Sequence, residues 1–76
     1  MSNYNIGQKC RVAISVARAH CNMPPYLRLL RSTINNAPDG FVMLAEVDES
    51  LGLAYVRSHE NDFLGDVQVP IQALIF

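Results

Sequence analysis

The chain has 76 residues, a formal net charge of −1, 50% hydrophobic residues and two cysteines. A chain of this length hides only about 60% of its unfolded surface, so it has room for one core and no second domain. Two cysteines exclude a disulfide framework, no stretch is long enough to be an apolar membrane span, and a pI near 6.0 argues against the basic domain usual for nucleic-acid binders.

The N-terminal stretch "MSNYNIGQKC" lacks a basic start followed by an apolar run. No secretory signal is therefore expected, and the reading is a cytoplasmic, reducing compartment with buried free thiols at Cys10 and Cys21. In "IGQKCRVAISVAR", Cys10, Val12, Ile14 and Val16 alternate with Lys9, Arg11, Ala13 and Ser15. This period of two predicts a first strand, opened by Gly7.

Next, Pro24 and Pro25 suit a first helical turn, Tyr26, Leu29, Leu30 and Thr33 recur at helical spacing, and Asn35, Asn36 and Pro38 are stop signals. One short helix over 25–34 is expected inside a long first connection. The runs 41–47 and 51–57 flank "DESLG", whose Asp, Ser and Gly supply turn chemistry, and so predict a hairpin. Phe41, Val42, Met43 and Leu44 are all apolar, so both faces of that strand are expected to be covered at its start. "SHENDFLG" predicts a polar loop.

A last strand over 66–69 should turn Val67 and Val69 inward and Gln68 outward, and Pro70, which cannot donate a ladder hydrogen bond, should end it. "PIQAL" then predicts one tight turn before Leu74, Ile75 and Phe76. Four or five short strands with one inserted helix predict a mostly β protein, a small and strongly bent barrel.

This order of elements resembles the SH3-like barrels, and "IGQKCRV" resembles the "GDxVRV" opening shared by three families within them. In "AHCNMPPYLRLL", His20, Met23, Pro24, Tyr26 and Arg28 stand in the order of the motif of the nitrile hydratase beta subunit, with Asn22 where that family has Arg. "GQKCRVAISVARAH" and "LAYV" resemble the variable chain of ferredoxin:thioredoxin reductase, a stand-alone barrel of similar length. "GDVQVPIQAL" is similar to the plasmid-borne, trimethoprim-insensitive dihydrofolate reductase, which has a Val-Gln-Ile-Tyr stretch whose Gln-Ile-Tyr lines the pore of a homotetramer. That resemblance implies pore positions at Gln68 and Val69, with Pro70 in place of the Tyr.

The chemistry-bearing residues divide into small groups. His20 beside Cys21 suggests a nucleophile and base, but neighbours in a strand point to opposite faces. Cys10, Cys21, His20 and His59 lack the spacing of a zinc site. Glu46, Asp48 and Glu49 belong to a hairpin turn, and Glu60, Asp62 and Asp66 to a loop, where solvated acids are ordinary. No catalytic residue, metal or cofactor is assigned.

The charges are sorted along the chain: Lys9, Arg11, Arg18, Arg28 and Arg31 precede every acid, and Arg57 alone stands among the seven acids of residues 39–76. Either the two halves neutralise each other on packing, or the basic half binds a polyanion. The high apolar fraction in so short a chain points first to a non-catalytic accessory module that binds another protein or itself, through Tyr26, Leu27, Leu30 and Arg31 of the inserted helix. The alternatives are a homotetrameric oxidoreductase with a symmetry-built pore at Gln68 and Val69, and a small nucleic-acid-binding barrel.

Overall fold

A computed structural model describes residues 4–59 and 66–76. Strand β1 (Lys9–Val12) is followed by helices α1 (Ile14–His20) and α2 (Pro24–Asn36), the hairpin strands β2 (Val42–Asp48) and β3 (Leu53–Arg57), then β4 (Val67–Pro70) and the short β5 (Leu74–Ile75). They form one five-stranded antiparallel sheet in the order β4-β3-β2-β1-β5. The expected loop at 58–65 lies largely outside the described residues.

The first strand is shorter than its alternation predicts. It stops at Val12, and the Ile14 and Val16 positions belong to α1. The segment "SVARA" is rich in alanine, the best helix former, and an alternation of four apolar residues is too short to outweigh that preference. Ala13 makes the corner: its amide donates to the Ala73 carbonyl at 2.8 Å, while its own carbonyl accepts from Val16 and Ala17 at 3.1 Å. Ala17 is fully buried, and its small side chain lets α1 lie close against β4.

The first connection therefore holds two helices rather than one. The second contains the expected span of 25–34 and extends it at both ends, with prolines at its first two positions and Pro38 two residues past its last. It buries Leu27, Leu30 and Thr33, residues three apart on one face, and leaves Leu29 50% exposed.

The expected closed barrel does not form. With β4 at one edge and β5 at the other, the sheet stays open. The 3-10 turn Ile71–Ala73 carries the chain across from one edge to the other, and α1 packs on both β4 and this turn. With two helices beside the five strands, the protein is mixed α and β rather than mostly β.

The core lies between the helices and the inner sheet face. Cys10, Val42, Leu44, Ala54, Val56, Val67 and Val69 point inward from the strands and meet Ala17, Leu30 and Ala73. Between Leu44 and Glu46 the β2–β3 register shifts, which leaves Ala45 as the extra residue of a bulge. The bulge resets the alternation, so Val47 as well as Val42 and Leu44 can serve the core.

Candidate functional site

The outer face of the sheet carries the opposite set of residues. Lys9 and Arg11 are exposed from β1, Lys9 sits directly across from Met43, and Met43 sits across from Arg57. Arg11 places its guanidinium carbon 4.7 Å from the centre of the Phe41 ring, a cation–π contact of about 0.5–1 kcal/mol at an exposed site. Lys9, Phe41 and Met43, together with Pro38, Ser58 and His59, line an open groove of about 300 Å³. A second depression of about 200 Å³, lined by Ile6, Gly7, Met43, Leu44, Ala45 and Arg57, shares Met43 with it.

The electrostatics of this face follow from its pairings. Arg57 holds Asp66 in a bidentate pair, Nε to Oδ1 at 2.9 Å and Nη2 to Oδ2 at 3.1 Å. Among the described residues neither Lys9 nor Arg11 has a carboxylate within ion-pair distance. Asp39 stands next to Pro38 on the rim, so the face is not purely cationic. The result, among the described residues, is two cations without an ion-pair partner beside a floor of Phe41 and Met43, both only half-buried.

The apolar run at 41–44 is thus covered on one face only. Val42 and Leu44 are in the core, and Phe41 and Met43 lie on the outer face, away from the inner face on which the helices pack. Near the β5 edge Ile75 is 51% and Phe76 56% exposed, Phe76 lying 5.7 Å from the Tyr4 ring.

The residues expected to meet a partner from the helix divide differently. Leu30 is fully buried and Leu27 nearly so, both in the chain's own core, because the apolar stripe of α2 faces the sheet. Tyr26 is half-buried, and its hydroxyl donates to the Gln68 carbonyl at 2.6 Å. That bond satisfies an acceptor on the edge strand β4 and is one way in which α2 shields that edge. Arg31 alone of the four stands exposed.

Val67 and Val69 do point inward and Gln68 outward, and Pro70 does close β4. Val69 is therefore core, not pore. The Gln68 amide approaches the Tyr55 hydroxyl at 3.4 Å. Any site made by symmetry at this position would rest on Gln68 and Tyr55.

His20 ends α1 and Cys21 caps it in extended conformation, so the argument from strand alternation does not apply to this pair. Burial of the Tyr26 phenol, with Cys21 close by as a second cause, raises its pKa. Among the described residues no three His, Cys, Asp or Glu side chains come together as a metal site. Of the expected acid group, Asp48 accepts hydrogen bonds from Ser50 Oγ at 2.5 Å and the Leu51 amide at 3.3 Å, which hold its carboxyl below the usual range. Asp66 is bound to Arg57, and Glu60 and Asp62 lie outside the described residues.

Among the described residues the two halves of the chain do not neutralise each other by contact. The ion pair found among the described residues, Arg57 with Asp66, lies wholly within the acidic half. The groove itself escaped sequence reasoning because Lys9 and Met43 become neighbours only through the β1–β2 register. Their shared outward phase was the available signal.

Comparison with known protein families, with curated proteins and with solved structures finds no match to this chain.

Proposed function

We propose that this chain is a non-catalytic protein-binding module, acting as an accessory subunit or by self-association, with the outer face of β1 and β2 as its contact surface. The observation that carries the reading is the juxtaposition of Lys9 and Arg11, without carboxylate partners among the described residues, with the half-buried apolar floor of Phe41 and Met43. Interfaces of this kind gain energy from a desolvated apolar centre and specificity from charges around it. The chemistry selects a partner segment that carries acidic residues beside an apolar one. The long first connection, central hairpin and single turn before the last strand support an SH3-like arrangement in open form.

Selection from a displayed random-peptide library tests the reading. Enriched peptides are expected to combine acids with an apolar residue, and Arg11→Glu is expected to weaken their binding by roughly tenfold or more, as for a charge at an interface hot spot. A selection without enrichment, or binding unchanged by both Arg11→Glu and Phe41→Ala, would overturn it.

A second reading has its own observation. Lys9, Arg11, Arg18, Arg28 and Arg31 are all exposed and none is ion-paired among the described residues, a distribution that favours a polyanion such as single-stranded nucleic acid. Binding to a fluorescent oligonucleotide that falls steeply with salt would support it, and a flat salt response would remove it. The seven acids of the same chain oppose it, and for that reason it stands second.

A further inference from the structure

The β2–β3 turn, residues 49–52, is the chemical complement of the groove. It exposes Leu51 by 68%, a large apolar side chain at the tip of a loop, and Glu46, Asp48 and Glu49 lie beside it. The turn is ordered in advance of any contact. Asp48 accepts from Ser50 and Leu51, the Gly52 amide donates to the Glu49 carbonyl at 3.3 Å, and Gly52 has a φ of +69° that favours glycine. A preordered turn loses little freedom on binding.

We propose that the groove at Lys9, Phe41 and Met43 receives the β2–β3 turn of a second copy of this chain, Leu51 resting on the apolar floor and the neighbouring carboxylates facing Lys9 and Arg11. The inference rests on the protein-binding reading above and names its partner. Both surfaces belong to one chain, but they cannot meet within it. From Met43 to Asp48 the strand advances about 17 Å at roughly 3.3 Å per residue, so the turn points away from its own groove. A groove of about 300 Å³ equals the space of about ten water molecules, enough for a leucine side chain and a flanking carboxylate.

Groove and turn are different surfaces of one chain, so two copies can exchange them reciprocally about a two-fold axis, or copies can add head to tail with one groove and one turn left open at the ends of the assembly. Either way the mass rises with concentration, to a dimer where the exchange is reciprocal and beyond it where it is not. High salt weakens it, because exposed charges contribute to it.

Light scattering behind size exclusion, over a wide concentration range at low and at high salt, tests the inference. The wild-type mass is expected to rise with concentration and to fall with salt. Leu51→Asp spoils the turn and leaves the groove, whereas Lys9→Glu with Arg11→Glu spoils the groove and leaves the turn. Each variant alone should run as a single chain, and an equimolar mixture should form a one-to-one complex and nothing larger. All the altered side chains are exposed, and circular dichroism will verify that both variants are folded.

A wild-type chain that stays single at every concentration overturns the inference, as does an assembly that either variant leaves intact or a mixture that fails to pair. If the chain stays single and yet binds acidic peptides in an Arg11-dependent way, self-docking alone has failed and the protein-binding reading stands. If neither is seen, both fall.

Discussion

Cys10 and Cys21 show how far position changes one side chain's chemistry. Cys10 faces the core from β1, and burial pushes its thiol up to about 11. The thiolate is the reactive form, so this group is both hidden and protonated under ordinary conditions. Cys21 is half-buried at the end of α1. Alkylation of the native protein at mildly basic pH is expected to label Cys21 first, and Cys10 only on unfolding; peptide mass mapping at successive times checks the order. The sign of the linkage follows. The unfolded thiol ionises near the ordinary 9.0, whereas the folded one holds its proton to about 11, so stability drops as pH rises through that interval. Both thiols were legible in the sequence as free, and burial was expected of both; Cys21 departs from it because nothing in "KCRV" or "HCNM" distinguishes their surroundings, which the fold alone supplies.

Among the elements, the hairpin was the easiest to read and α1 the hardest. "DESLG" carries turn chemistry between two runs of β-forming residues, and the strands observed, Val42–Asp48 and Leu53–Arg57, lie within two residues of the expected bounds. Gly52 is where this turn is most specific. Among the described residues beyond its two chain neighbours, no heavy atom lies within 4 Å of the position a Cβ would take, so a substitution meets no clash there, and the cost of Gly52→Ala is backbone strain. A loss of about 1 kcal/mol is expected, read as a lower urea midpoint with an unchanged slope. Helix α1 was missed because its alternating apolar residues fit a strand equally well over so short a span. What decides the matter is the packing of α1, with its fully buried Ala17, against β4, a strand some fifty residues away in the chain.

For the molecule as a whole, the helices and the sheet share one core, and Leu30 is its largest fully buried member from the helices. Leu30→Ala is expected to cost about 2–5 kcal/mol, set against a total stability of roughly 4–11 kcal/mol for a chain of this size. Urea denaturation followed by circular dichroism should show a midpoint lowered by roughly a fifth or more, or an unfolded protein. Leu30 also illustrates why half of the expected partner surface turned out to be core: an amphipathic stripe says that a helix face is covered, but not by what. The sequence by itself determined the alternation of Val67, Gln68 and Val69, the hairpin and its turn, the presence of α2 to within two residues at each end, and the sorting of charge along the chain. Each of these rests on neighbours in sequence, through backbone sterics, side-chain period or capping. Only the tertiary structure decided that the sheet stays open, that the first connection holds two helices, and that Lys9, Arg11, Phe41 and Met43 share one face. Those outcomes depend on strand register and on what packs between distant segments. Such contacts span many residues and leave no local pattern to read.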